Sequence, residues 1–153
     1  MISCTEFIPL YSELFKFLEE KGGYQSVLTY WEHISDNYVE PRLGEELKKH
    51  GLYGCYEYWS KSLNEEACDF KMEYDGEKRF FEIEMRGCPS KGMLLDLGYT
   101  EPYDKYCNHC DVLYKRCAEK YGIDIKCDLS ECDKAKCRVT AAPLGEENGK
   151  RGL

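Results

Sequence analysis

The spacing of apolar side chains changes near residue 67 from a helical to an alternating period, and this change limits the folds open to the chain. Before it, apolar residues recur every three or four positions, which predicts helices with core-facing stripes. The first stripe consists of Phe7, Leu10, Tyr11, Leu14, Phe17 and Leu18, and the second of Val27, Tyr30, Trp31, Ile34 and Tyr38. After it, apolar and charged residues alternate in 68–74 and 81–85, which predicts a hairpin turning at Asp75-Gly76.

The remaining segments extend this pattern to the end of the chain. Pro41 and Pro89 are each predicted to begin a short helix, and a longer helix is predicted from about Tyr103 to Tyr121. Two further alternating runs, 123–127 and 135–141, predict a second hairpin. The order predicts an α+β fold, in which N-terminal helices precede an antiparallel sheet of two β-hairpins (ββ-α-ββ) covered by a cysteine-bearing helix.

We expect one domain and a short tail. Residues 1–143 are predicted to form a single α+β domain, with a helical part at 1–66 and a sheet and helix part at 67–143. The polar residues 144–153 are predicted to be a flexible tail.

Charge and hydropathy argue against two classes of partner. The formal net charge is −8, and no long run of Lys or Arg is available for phosphate backbones, so nucleic acid is not expected. The N-terminal residues lack the basic segment and cleavage site of a signal peptide, and no apolar run approaches the about 18 residues of a membrane span. We therefore expect a cytoplasmic protein without a membrane partner; no feature indicates an oligomeric state.

Ten cysteines are unusual for such a chain. In a reducing compartment, cysteines serve as buried thiols, metal ligands or catalytic thiols more often than as disulfides. Their positions relative to the predicted helix and strands therefore carry the functional argument.

The segment YCNHCDVLYKRC places several of these thiols on one helix face. At about 100° per residue, one face collects the cysteines, and the opposite face collects lysines and arginines. The residues of the cysteine face are Cys107, Cys110, Asp111, Tyr114, Cys117, Ala118 and Tyr121. His109 falls on the opposite face, so it is predicted to be a surface residue that shares no site with the cysteines.

The predicted strands add thiols to the same layer. Cys68, Cys127 and Cys137 occupy the same alternating positions as the apolar residues of their strands. Cys88 lies at the end of one strand. Packing alone explains one or two buried cysteines better than six or seven.

Cys88 is the candidate nucleophile. It precedes Pro89 and is therefore predicted to cap a helix, where backbone N–H groups and the helix dipole lower a thiol pKa. Such a thiolate can attack an electrophilic carbon. Asp111 is a candidate base or orienting group, although it could equally cap the helix or form a surface pair, and Cys107 is expected to line the pocket.

A metal site is the alternative use of these thiols. Zinc or an iron–sulfur cluster needs four deprotonated ligands, which could come from the helix and the strand end. The candidate ligands are Cys88, Cys107, Cys110 and Cys117.

The segment from Tyr56 to Ala141 resembles the family named for L-2-amino-thiazoline-4-carboxylic acid hydrolase. The shared features are a Trp before the hairpin in YEYWSKSL, RGCP at 86–89, C-x-x-C-D at 107–111, a Gly after the helix, and KCRV at 136–139. The resemblance implies an α+β fold, hydrolytic opening of a thiazoline ring, and Cys88, Cys107 and Asp111 as site residues. The other thiols are additions to this pattern: Cys110, Cys117, Cys127 and Cys132.

Three functions follow as expectations. The leading one is a small-molecule hydrolase-like protein that acts on a C–N bond of a thiazoline or amidine substrate through a cysteine-lined pocket. The alternatives are a cysteine-rich protein that binds zinc or an iron–sulfur cluster, and a sensing domain that binds a small ligand without consuming it.

Overall fold

A computed structural model describes residues 4–64 and 68–145 of the chain, with side chains from Glu6 onward. The helical elements are α1 (Cys4–Gly22), α2 (Tyr24–Ile34), a π-helical segment (Ser35–Gly44), α3 (Glu45–His50), α4 (Tyr53–Asn64), α5 (Pro89–Leu97), α6 (Asn108–Glu119) and a 3₁₀ turn (Cys132–Lys134). The strands are β1 (Asp69–Asp75), β2 (Phe80–Gly87), β3 (Ile123–Asp128) and β4 (Cys137–Pro143).

The four strands form one antiparallel sheet in the order β1-β2-β4-β3. The hairpins β1-β2 and β3-β4 are joined through β2 and β4, where Ile83 lies opposite Val139. Apolar residues of alternating positions, such as Phe81 and Ile83 on β2, point into the core. The predicted α+β fold with an antiparallel sheet of two hairpins is confirmed.

Helix α6 connects the sheet to the N-terminal helices. It packs against β3 on one side and against the π-helical segment and α2 on the others. Helix α4 also reaches the sheet, because the ring of Trp59 stacks on that of Phe81 with centroids 5.6 Å apart. The cysteine-bearing helix therefore covers the sheet as predicted, but the other side of this helix is also covered.

The region around Pro41 differs from the prediction. Pro41 does not begin a separate helix; it lies inside the π-helical segment, which continues α2 into α3 without a break. The buried Ser35 at its start donates a 2.7 Å hydrogen bond to the carbonyl oxygen of Leu113 in α6. The wider π turn changes which residues face inward, and π turns often occur at functional sites.

The predicted inward stripe of α1 is confirmed only in part: Tyr11 and Leu18 pack against the core, but three other members of the stripe do not. Phe7, Leu10 and Phe17 are 60%, 49% and 54% exposed, whereas Ser12 and Phe15 are buried. Phe15 enters an aromatic cluster, and the Ser12 hydroxyl accepts a 2.8 Å hydrogen bond from the backbone N–H of Tyr103. Because α1 is apolar on more than one face, its spacing alone could not decide which face packs inward.

Two further expectations concern the ends and the surface of the chain. Most of the predicted tail, residues 146–153, lies outside the described residues. Among the helices that are described, none has both the length and the apolarity needed to cross a bilayer.

Candidate active site in a thiol-lined cavity

Helices and sheet line an open cavity of about 390 Å³, which lies within the size range of small-molecule sites. Six cysteines line it, and all six are free thiols. We call it the thiol cavity, and its cysteines are Cys88, Cys107, Cys110, Cys127, Cys132 and Cys137. The sequence predicted a layer of thiols between helix and sheet. Most of these thiols line the cavity, but Cys68 and Cys117 do not, and Cys132 was not predicted among them.

Three of the thiols come together at one end of the sheet. Cys137 begins β4 and lies opposite Met85, three residues before Cys88. The backbone N–H of Cys88 donates a 2.8 Å hydrogen bond to the carbonyl oxygen of Ala135, which fixes the strand end to the turn that carries Cys132.

Helix α6 and the strand beneath it supply the other three. Cys107 and Cys110 stand at the start of α6, and Cys127 is on β3, the strand that α6 covers. The cavity therefore has a helix wall and a sheet wall, each with thiols.

Cys88 lies where the sequence places it, as the N-cap of α5. Its sulfur accepts a 3.5 Å hydrogen bond from the backbone N–H of Lys91, and Pro89 is the first helical residue. The expected low pKa is not found, because burial raises the pKa of Cys88 more than the bond from Lys91 lowers it. Cys88 is therefore a neutral thiol at pH 7.

Four of the other cavity thiols are also neutral at pH 7. Burial raises the pKa of Cys107, Cys110 and Cys137 to about 12, and the neighbouring Cys110 adds to the rise at the other two. The pKa of Cys127 is raised by burial and by its neighbours Cys110 and Asp111. A neutral thiol needs a base to become a nucleophile, so the bases near each sulfur decide which one can react.

The proposed hydrolytic trio is only partly assembled. Cys88 and Cys107 line the cavity, but Asp111 is not among its described lining residues. The Asp111 carboxylate is instead close to the thiol of Cys127, whose pKa it helps to raise. Asp111 is therefore placed to act on Cys127 and not on Cys88.

The proposed metal set is likewise divided. Cys88, Cys107 and Cys110 share the cavity, whereas Cys117 is buried elsewhere, with its sulfur 3.7 Å from Oε2 of Glu40. A zinc ion holds its ligand atoms at about 2.0–2.3 Å, so four thiolates must converge tightly. Within residues 4–64 and 68–145, no three His, Cys, Asp or Glu side chains are grouped closely enough to hold one metal ion.

His109 does not lie on the surface, contrary to the prediction. It lines the thiol cavity, and its ring packs edge-on to Tyr106 with centroids 4.9 Å apart and to Tyr11 at 5.8 Å. Burial lowers the pKa of His109 to about 4, and a hydrogen bond to the carbonyl oxygen of Tyr106 offsets this only in part. The imidazole is therefore neutral at pH 7, and its Nε2 lies 3.4 Å from the sulfur of Cys110.

Basic side chains also line the thiol cavity. They are Arg42, Lys91 and Lys136, and the described lining includes no Asp or Glu. Lys91 is only 9% exposed, and the Arg42 guanidinium stacks over the rings of Tyr38 and Tyr58. This charge distribution favours an anionic group on a bound molecule.

Sequence reasoning missed these residues for identifiable reasons. Arg42 lies one helical turn after Tyr38, the last residue of the second predicted stripe, but Pro41 is predicted to begin a separate helix. Lys91 lies in the first turn of the helix that Cys88 caps, so the capping prediction could have located it, but that prediction concerned only the thiol.

A larger groove of about 530 Å³ at the edge of the sheet is a weaker candidate. It is lined mainly by charged residues of both signs, and some of these pair with each other, as Arg86 does with Glu84 at 3.0 Å. Solvated pairs of this kind are ordinary on protein surfaces. We therefore place the candidate site in the thiol cavity.

Comparisons of the chain with protein-family models, with curated proteins and with solved structures gave no match.

Proposed function

We propose that this protein is a small-molecule hydrolase-like enzyme whose substrate binds in the thiol cavity. The observation that carries the proposal is the lining itself: six free thiols and three basic side chains surround a space of about 390 Å³. A site with both nucleophilic sulfur and positive charge suits a small anion that carries an electrophilic carbon.

The chemistry of the cavity is compatible with a C–N bond of a thiazoline or amidine as the target. A thiol adds to the carbon of such a group, the C–N bond breaks, and water then releases the product from sulfur. The aromatic side chains of the cavity, including Tyr58, Trp59 and Tyr114, offer flat apolar surfaces for a small ring. The resemblance to the thiazoline-carboxylate hydrolase family supports this substrate class.

Binding of L-2-amino-thiazoline-4-carboxylic acid, measured by isothermal titration calorimetry, tests the proposal. We expect Arg42→Gln to weaken binding by about tenfold or more, since a charge-assisted contact contributes about 1.5–3 kcal/mol. Arg86→Gln is the matched control, because Arg86 is exposed and pairs with Glu84 outside the thiol cavity. Loss of the substrate in a parallel NMR time course would then demonstrate turnover.

Two results would contradict the proposal. One is the absence of binding to the folded protein at millimolar ligand. The other is equal weakening by Arg42→Gln and Arg86→Gln, which would show that the ligand responds only to the net charge of the protein.

An iron–sulfur cluster is the second candidate ligand, and it is favoured by the number of thiols that line the thiol cavity. A cluster is larger than a single ion, so its cysteine ligands stand farther apart than those of zinc. Iron and acid-labile sulfide analysis of anaerobically purified protein, with an absorption spectrum, tests it. Protein without iron and without visible absorption would leave the small-molecule proposal alone.

A further inference from the structure

One cavity thiol has a histidine in direct contact. The sulfur of Cys110 lies 3.4 Å from Nε2 of His109, within hydrogen-bond reach for sulfur, and both side chains line the thiol cavity. On the other side of the ring, Nδ1 is hydrogen-bonded to the carbonyl oxygen of Tyr106.

The bond to Tyr106 determines which ring nitrogen carries the proton. A carbonyl oxygen can only accept, so in the neutral ring the proton lies on Nδ1 and Nε2 keeps its lone pair. That lone pair faces Cys110, and the thiol is the donor. A nucleophile, a base and a group that orients the base are thus arranged in a row, which is the arrangement of activated cysteines and serines.

The imidazole is also held in place. The rings of Tyr106, Tyr11 and Phe15 lie with centroids 4.9, 5.8 and 6.0 Å from that of His109. Packing on these sides, together with the bond to Tyr106, fixes the ring orientation that a general base requires.

We propose that Cys110 is the nucleophile of the thiol cavity and that His109 is its general base. As the sulfur forms a bond to the electrophilic carbon, the thiol proton moves to Nε2 of His109. The imidazolium then returns this proton to the leaving nitrogen as the C–N bond breaks. Water hydrolyses the resulting thioester or thioimidate, with His109 again accepting a proton, and Cys110 is restored as a thiol.

The other cavity thiols are less well equipped. Cys88 accepts a backbone hydrogen bond but has no base beside it in the described contacts. Cys127 is next to the Asp111 carboxylate, so it is the competing thiol with a different base. This inference rests on the proposed function only in requiring that a small electrophile reach the cavity.

The test uses p-nitrophenyl acetate, a small acyl donor that releases one coloured p-nitrophenolate for each acylation. Peptide mass spectrometry then identifies the acetylated cysteine. We expect the acetyl group on Cys110, its loss in Cys110→Ser, and acylation at least about 100-fold slower in His109→Asn, as for removal of a general base. Asn retains a donor for the carbonyl of Tyr106 but lacks Nε2.

Added imidazole separates a chemical role of His109 from a structural one. It should restore part of the acylation rate of His109→Asn, which a purely structural defect would not permit. His33→Gln and Arg86→Gln, which alter exposed residues outside the thiol cavity, should acylate Cys110 at the rate of the unmodified protein. Thermal unfolding of each variant establishes that the protein compared is folded.

Three outcomes would overturn the inference. Acetylation of Cys88 or Cys107 with Cys110 unmodified would refute the dyad while showing that small electrophiles enter the cavity, so the proposed function would stand. Equal rates for His109→Asn and the unmodified protein would refute the role of the base. Folded protein without acetylation at any cavity cysteine would refute the dyad, and the calorimetric experiment would decide the proposed function separately.

Discussion

The half-buried position of His109 makes the stability of the protein depend on pH. Its pKa is lowered to about 4 in the folded protein, whereas an unfolded histidine titrates near 6.5. Between these values the unfolded chain binds the extra proton, so this contribution is complete above about pH 6.5 and is lost as the pH falls towards 4. The loss is on the order of 2 kcal/mol for a partly buried group.

Denaturant unfolding at a series of pH values between 4 and 7 measures this contribution. His109→Asn should flatten the dependence in this window, because the titrating group is gone. His33→Gln is the matched control, since His33 is exposed on α2, and its profile should follow that of the unmodified protein. An unmodified protein equally stable at pH 4.5 and 6.5 would contradict the burial of His109.

At the scale of single residues, the thiols were easier to predict than the histidine. Helix and strand periodicity predicts the inward positions of Cys107, Cys110 and Cys127. Residues that line the cavity lie on the same faces of the helix and the strand as the residues of the core. His109 was misplaced because the helical wheel assumes that the face opposite the sheet is solvent. Helices α1 and α2 cover that face with Tyr11, Phe15 and Trp31, so a residue that points away from the sheet is still inside the protein.

Among the elements, the π-helical segment has the largest effect on the site. It contributes Tyr38 and Arg42 to the thiol cavity, and it is attached to α6 by the bond from Ser35 to the carbonyl oxygen of Leu113. Because no periodicity signal distinguishes a π turn from a break at Pro41, this part of the cavity was not predictable from spacing. The helices and hairpins on either side of this segment were predictable, because the apolar residues of each recur with a single period between clear turn residues.

Removal of the Ser35 hydroxyl tests the attachment of this segment to α6. Ser35→Ala removes a buried hydrogen bond to a carbonyl oxygen that keeps its helical N–H donor, which should lower the free energy of unfolding by about 1 kcal/mol. Thr29→Ala is the matched control, because Thr29 also bonds a helical carbonyl oxygen, that of Gln25, but is exposed. The control should lose no more than about 0.5 kcal/mol, and equal losses would show that the bond from Ser35 has no special role.

For the whole molecule, α6 determines whether the helical and sheet parts unfold together. Trp31 belongs to the helical part and Trp59 packs on Phe81 of the sheet, while α6 contacts both parts. A core shared in this way should unfold in one cooperative transition. The sequence supports a single domain through its lack of a linker, but the contact that unites the parts depends on tertiary packing around α6.

Single-tryptophan variants test whether the helical and sheet parts unfold together. Trp31→Phe reports on Trp59, Trp59→Phe reports on Trp31, and in each variant fluorescence should give the same thermal midpoint as circular dichroism. Adding Leu113→Ala removes a buried side chain of α6 at a cost of about 2–5 kcal/mol, so both reporters should shift down together by about 5–15 °C. Lys115→Ala, exposed on the same helix, should leave both midpoints nearly unchanged. If Leu113→Ala moved only one reporter, α6 would belong to that part alone and the thiol cavity would lie between two separately folding units.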